Sequence, residues 1–372
     1  MKILLISSEP VDYTIAWANG LAPHAEVIAI LPRQRYDHLR EWIDPRVTLM
    51  LIDWPRTRSL LNIAFLWQLT RRVRDVQPDV IHLLSNTTVW LNAAVPFWGD
   101  IPVVTTVHDV ALHPGDRETA RLPAWSSRLM ARQSSHLVVH GAGLKSAAEQ
   151  VFRKSEGHVH VFQHPGIARY AQLATRLGLS RISAPDAFVV LLFGRIFAYK
   201  GLSTLLRAEA CLGDRIPNLR IVIAGRGDNP DDYRHLMGDR ARYDIRHGFI
   251  EDAVAAQLFT DADLVVLPYD EASQSGVLHL ATTFGKPILA TDVGELRATI
   301  EPNGLGRIVP PGRPDLLAEA MAELAADPDT RARLAANARA WSDGANAPTT
   351  IGQSATALYR QLAVPSHVTP PN

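Results

Sequence analysis

The sequence predicts an α/β fold built as two doubly wound domains, and three observations carry that reading. Short apolar runs alternate with segments of helical period along almost the whole chain, the signature of βαβ units on a mostly parallel sheet. The alternation is interrupted once, by a stretch bearing Pro165, Gly166 and Pro185, and then restarts. The length, 372 residues, suits two domains of about 100–200 residues each. Hydrophobic residues at 47% and charged residues at 20% exclude a disordered, collagen-like or coiled-coil chain. Basic and acidic residues balance at 38 each, so the net charge offers nothing to nucleic acid.

The run Ile3 to Ile6 is far too short for a signal-peptide core or for the ~20 residues that span a bilayer, and it reads as a buried first strand. A cytoplasmic chain is the expectation. Strands are expected near 2–7, 25–30, 47–52, 79–84, 102–107, 135–139 and 158–162, with helices such as 58–75 and 119–132 crossing between them. These make an N-terminal domain over 1–165. Residues 166–186 carry no strong strand and are expected to link the domains. The second domain, 187–345, has expected strands near 187–193, 219–224, 243–247, 263–268, 287–291 and 306–309. Its helices are expected near 201–212, 251–260, 276–284, 315–326 and 329–342. A last helix at 349–363 is expected to return to the N-terminal domain, and 364–372, polar and Pro-rich, to form a flexible tail. The single cysteine, Cys211, permits neither an internal disulfide nor a Cys-rich metal framework.

Open α/β sheets bind ligands at the carboxyl ends of their strands, so the cleft between two such domains is the default active site. Three strings end strands in the second domain. In FGRIFAYKG (193–201) a strand stops at Gly194 and is followed by Arg195 and Lys200, a guanidinium fork and a point charge suited to the two phosphates of a diphosphate. A solvated loop with two surface cations is the plain alternative. In IVIAGRGDNP (221–230), Gly225, Arg226 and Gly227 mark a sharp turn or a close backbone approach to a ligand. In LPYDEASQSGVLHLATTFGKP (267–287), Ser275 is placed as an N-cap before Gly276 and Val277, whose free amides and helix dipole would attract an anion. An ordinary capped helix would account for the same residues.

The strings GRIFAYKG, IVIAGRG, ADLVVLPY, SQSGV, FGKPILATDVGEL and GLGRIVPPGRPDLLAEAM resemble, in order and spacing, the second domain of family 4 glycosyltransferases with the GT-B fold. The resemblance covers most of the chain and is strongest over about 188–325. It implies two Rossmann-like domains facing across a cleft, and a retaining transferase that moves a sugar from a nucleoside diphosphate donor to the hydroxyl of a sugar, glycolipid or small molecule. It implies that Arg195 and Lys200 neutralise the donor diphosphate during catalysis and that His247, Phe249 and Ile250 belong to the loop receiving the base. With Gly194, Gly225, Arg226, Gly227, Glu271, Ser273, Gln274, Ser275, Gly276 and Val277 they form the expected donor site. One departure stands out. The family's usual two glutamates, eight positions apart, align with Ser273 and Ala281, leaving the ribose contact to another group such as Glu271 or leaving it unmade. The SQSGV loop is read as a subgroup variant. A non-catalytic sugar-nucleotide binding or partner protein remains the alternative, as does a GT-B epimerase, which would need a clear base in the cleft. A dehydrogenase is disfavoured, because no complete Gly-X-Gly-X-X-Gly follows the first strand.

In the N-terminal domain, His108 and Asp109 follow the strand at 102–107, where an imidazole titrating near neutrality can meet a substrate hydroxyl. A structural histidine satisfied locally would look the same in sequence. By the resemblance, a histidine at this strand end lies beside the transferred sugar, and His108 and Asp109 join Arg195 and Lys200 as expected catalytic residues. The pairs His158/His160 and His136/His140 share strand faces but lack further ligands with matching spacing, and Asp261–Ala262–Asp263 falls at the amino end of a strand, so no metal or other cofactor is expected. Residues 56–74 carry Arg56, Arg58, Arg71, Arg72 and Arg74 with no acidic residue, and Phe65 and Trp67 among aliphatics. Such a helix either packs in a core with charged ends or lies on an anionic membrane surface.

Overall fold

The computed structural model describes residues 1–57, 59–110 and 124–363. The expected helix start at 119–123, Arg58 and the expected tail 364–372 lie outside the described residues. The rest divides into two compact units, one of residues 1–110, 124–165 and 346–363, the other of residues 166–345.

In unit 1, seven parallel strands run in the order β3-β2-β1-β4-β5-β6-β7. They are β1 Lys2–Ile6, β2 Glu26–Pro32, β3 Thr48–Ile52, β4 Val80–Leu83, β5 Val103–Thr106, β6 His136–Val139 and β7 Val159–Val161. Side chains alternate across a strand, so β1 feeds two cores at once. Ile3 and Leu5 meet helix Val11–Leu21 and helix Pro348–Ala363, while Leu4 and Ile6 meet helix Leu61–Val76 and its neighbours. The last helix packs on Val11–Leu21 so closely that a Cβ on Gly352 would stand 2.0 Å from the Gly20 carbonyl oxygen.

Unit 2 repeats the plan with six parallel strands in the order β10-β9-β8-β11-β12-β13. They are β8 Phe188–Phe193, β9 Leu219–Gly225, β10 Tyr243–His247, β11 Leu264–Leu267, β12 Ile288–Thr291 and β13 Gly306–Val309. Val190 and Leu192 face helices Leu202–Leu212 and Pro314–Ala326; Val189 and Leu191 face Asp252–Asp261 and Gly276–Thr283. Strand order reverses between β1 and β4 in one unit and between β8 and β11 in the other, the switch points where open sheets take ligands.

Two expectations change. Residues 166–186 are an integral part of unit 2, not a free connection. They contain helix Arg169–Arg176, whose Arg169 forks onto Asp252, and Arg181 donates to Asp263 Oδ1 at 2.8 Å. The Asp261 carboxylate accepts from the Ile182 amide at 2.7 Å, so both aspartates of Asp261–Ala262–Asp263 are engaged in holding this segment. The helix expected from 58 begins at Leu61, because the buried Asn62 side chain donates to the carbonyls of Arg56 (2.9 Å) and Ser59 (2.7 Å) and fixes the preceding residues in a turn. No described helix is long and apolar enough to cross a membrane.

Candidate functional site

The loops leaving β8, β9 and β11 are locked together by backbone contacts that only glycine permits. Gly225 leaves β9 at φ +150°, and a Cβ there would lie 1.6 Å from the Gly194 carbonyl oxygen; one on Gly227, at φ +148°, would lie 2.0 Å from that of Ile196. The Ile196 amide donates to the Arg226 carbonyl at 2.8 Å and the Asp228 amide to that of Ile196 at 2.5 Å. Gly225 and Gly227 therefore serve the packing of one loop on another, where close approach to a ligand was an open alternative.

Across the switch point, a Cβ on Gly201 (φ +71°) would fall 1.7 Å from the Pro268 carbonyl oxygen, and the Asp270 amide donates to the Tyr199 carbonyl at 2.8 Å. This seats the two cations. Lys200 Nζ stands 3.8 Å from the centroid of the Tyr269 ring and 5.0 Å from that of Tyr199, and the Arg195 guanidinium lies 5.8 Å from the Phe197 ring. Both cations are held at aromatic faces at the carboxyl end of β8.

Ser275 occupies the N-cap position of helix Gly276–Thr283 in extended conformation, but its side chain makes no cap hydrogen bond. Its buried hydroxyl pairs with Tyr269 Oη at 3.1 Å, and burial pushes the Tyr269 phenol up to about 12. The expected capping role of Ser275 is thus corrected: it anchors the loop from β11 beneath the helix start. Val277 lies over the end of β8, its Cγ2 3.3 Å from where a Gly194 Cβ would be. Gln274 Oε1 is buried without a hydrogen-bond partner. Ser273 is buried, its carbonyl accepting from the Glu295 amide at 3.1 Å, and Ala281 is fully buried in an apolar layer with Phe259 and Trp341. Glu271 and Arg226 are exposed.

At the end of β10, the Gly248 amide donates to the Gly225 carbonyl at 2.9 Å, leaving His247 exposed and Phe249 76% exposed beside half-buried Ile250. A cavity of about 520 Å³ lined by Asp186, Asp214, Arg220, Asp239 and Arg242 lies at the amino ends of β8 to β10, away from these loops.

In unit 1, His108 follows β5. Its Nε2 donates to the Leu84 carbonyl at 2.9 Å, and Nδ1 is buried with no hydrogen-bond partner. Burial holds its pKa below the usual imidazole range, so the neutral ring keeps a lone pair on Nδ1. Asp109 follows, partly exposed. Tyr13 meets His108 edge-on at 4.6 Å, His140 at 5.2 Å and His164 at 5.0 Å. Sequence reasoning missed this ring cluster, although each histidine lies one to three residues past a strand. His82 is structural: Nδ1 pairs with Tyr359 Oη at 2.7 Å, Nε2 with Thr106 Oγ1 at 2.9 Å, and burial pushes it down to about 3. His136 pairs with His160 at 3.1 Å and stacks on His158. Among the described residues, no group of three or more His, Cys, Asp or Glu is arranged to hold a metal ion.

Two Rossmann-like units whose second switch point carries paired cations beside a helix start are those of a GT-B glycosyltransferase. The family model "Glycosyl transferase 4-like domain" matches residues 10–164 and "Glycosyl transferases group 1" matches residues 181–341. The chain belongs to the family 4 glycosyltransferases. It is 28% identical over 281 residues to the alpha-D-kanosaminyltransferase of Streptomyces kanamyceticus, covering 71% of this chain and 72% of that one. It is 34% identical over 184 residues to a D-inositol 3-phosphate glycosyltransferase of Corynebacterium glutamicum, covering 47% and 43%. The structure of Anabaena Alr3699/HepE in complex with UDP shares the fold, with a TM-score of 0.70 at 19% identity over 97% of this chain and 100% of that one.

Proposed function

We propose that this glycosyltransferase moves a sugar from a nucleoside diphosphate donor to a hydroxyl acceptor with retention of configuration, in the assembly of a polysaccharide or glycolipid. The observation that carries the donor site is the pairing of Arg195 and Lys200, held at aromatic faces where β8 ends, with the loop that leads from β11 into helix Gly276–Thr283. The UDP held by the Anabaena protein and the transferase activities of the relatives support the same reading.

In this mechanism Arg195, Lys200 and the amides of Gly276 and Val277 bind the diphosphate and take up the negative charge that grows on it as the glycosidic bond breaks. No cofactor or metal takes part. His247, Phe249 and Ile250, with Gly194 and Gly225 to Gly227 behind them, receive the base, and Glu271, Ser273 and Gln274 face the sugar and ribose. The unpartnered Gln274 Oε1 is an acceptor suited to a donor hydroxyl. His108 Nδ1 accepts from a hydroxyl of the transferred sugar, Asp109 orients it, and the attacking hydroxyl passes its proton to the departing phosphate.

Incubation with a panel of donors and acceptors, followed by mass spectrometry and by proton NMR of the new anomeric centre, tests this. The reading expects a transfer product with the donor's anomeric configuration. An inverted product overturns retention, and donor binding without hydrolysis or transfer to any acceptor overturns catalysis in favour of a binding protein.

A further inference from the structure

Unit 1 presents an apolar surface that its own fold leaves outside. Three neighbouring helical segments, Leu61–Val76, Leu91–Ala94 with the 3-10 turn Val95–Phe97, and Ala124–Gln133, cover one face of its sheet. Phe65, Leu69, Val73, Leu91 and Met130 fill the layer beneath them. On the outer side stand seven of the twelve exposed large apolar residues among the described residues, led by Leu60 at 88%, Ile63 at 70% and Leu61 at 69% with Trp67 at 64% behind them, and with Phe97 and Trp125 on the neighbouring segments. The first helix cannot roll to hide them, because its inward stripe is already packed and Asn62, 1% exposed, ties its start to the Arg56 and Ser59 carbonyls.

The charge on this layer is one-sided. Arg71, Arg74, Arg128 and Arg132 are exposed on the same helices, the Arg71 guanidinium 5.9 Å from the Trp67 ring, against a single exposed acid, Asp75. Exposed aliphatics, two tryptophans and an excess of arginines together match an anionic lipid surface, which takes the apolar side chains below its headgroups and the guanidiniums among its phosphates. In a parallel α/β unit the helices run against the strands, so the first turns carrying Leu60, Leu61, Ile63 and Trp125 lie at the carboxyl end of the sheet, the end at which His108 stands.

We infer that this three-helix face docks unit 1 on an anionic bilayer, with the rim beside the carboxyl ends of β4 and β5 inserted, and that the acceptor is a hydroxyl-bearing headgroup carried in that bilayer. Docking does not depend on glycosyl transfer; the lipid-borne acceptor rests on the function proposed above. The exposed arginines give the surface its preference for negative lipid, and the apolar rim gives it depth.

Flotation of the full chain with vesicles of phosphatidylcholine alone, or with about 30% phosphatidylglycerol, tests the inference. Binding is expected only to the anionic vesicles, falling as salt rises from about 0.1 to about 0.5 M. Arg71→Gln with Arg74→Gln should weaken it about thirtyfold, at about fivefold per basic residue. The triple variant Leu60→Ser, Ile63→Ser, Trp67→Ser should abolish it while leaving the melting temperature and the shift given by a nucleoside diphosphate unchanged. No binding to anionic vesicles, equal binding to both vesicle types, or full binding by the triple variant each overturns docking. So does a dimer in light scattering that the triple variant dissociates, since a second copy would then cover the face. Loss of the nucleotide shift in the wild type would instead strike the donor site and leave docking standing.

Discussion

Gly201 and Gly312 form a matched pair that isolates how the proposed donor site is held together. Their φ angles are nearly equal, +71° and +67°, so alanine at either pays the same left-handed strain of about 1–2 kcal/mol. Their surroundings differ. At Gly312 nothing lies within 4 Å of the added Cβ, whereas at Gly201 the Cβ would fall 1.7 Å from the Pro268 carbonyl oxygen. A tolerable contact needs 3.0 Å or more, so the two loops must separate by about 1.3 Å. Forcing such a shift in a packed site costs a further ~1–3 kcal/mol. Gly201→Ala should therefore destabilise by about 2–5 kcal/mol and Gly312→Ala by about 1–2 kcal/mol, read by urea melts. The separation also lifts Tyr269 from Lys200, so calorimetry should show nucleoside diphosphate affinity falling at least about tenfold in Gly201→Ala alone. Equal stability and affinity in the two variants would refute the idea that the Gly201–Pro268 contact sets the site.

Tyr269→Phe keeps the ring under Lys200 but strands the buried Ser275 hydroxyl, and should lower stability by about 1–3 kcal/mol with donor affinity within about twofold, whereas Tyr269→Leu should also weaken diphosphate binding about five- to thirtyfold in the same titration. His82 is held neutral in the fold, near 3, against about 6.5 when unfolded, so the unfolded state binds the extra proton and stability falls as pH drops from about 6.5 toward 3. At about 1.36 kcal/mol per unit this is on the order of 5 kcal/mol, and His82→Gln should remove that part of the acid slope in melts across the range. For His108→Ala the expectation is a kcat loss of about a hundredfold or more with donor affinity nearly unchanged, checked by steady-state kinetics beside calorimetry.

The strands were legible because parallel strands buried on both faces read as unbroken apolar runs, as in Phe188–Phe193 and Leu264–Leu267. Their carboxyl ends followed, and with them the positions of His108, Arg195 and Lys200. What escaped was whatever depends on a partner distant in sequence. Arg169 meets Asp252 83 residues away, so 166–186 looked like a linker. Ser275 looked like a cap because nothing in its neighbourhood announces that Tyr269 competes for its hydroxyl. The glycines at 225 and 227 were legible as a sharp turn or a ligand approach, but the carbonyls they admit, Gly194 and Ile196, belong to the preceding loop and could not be read from spacing. The seven-residue apolar rim was visible only in part, since Phe97, Trp125 and Leu129 join Leu60 to Trp67 through packing, not through spacing.

A nucleoside diphosphate is expected to bind where β8 and β11 end. A thermal-shift panel of UDP, GDP, ADP, TDP and CDP with their common sugars, on the wild type and on Arg195→Ala with Lys200→Ala, is the decisive measurement. At a concentration a hundredfold above Kd, binding adds about 2.7 kcal/mol, which for a unit of this size raises the midpoint by roughly 5–10 °C. One base should give such a shift in the wild type and none in the double variant. A shift of equal size in both, or no shift from any nucleotide at millimolar concentration, would contradict it.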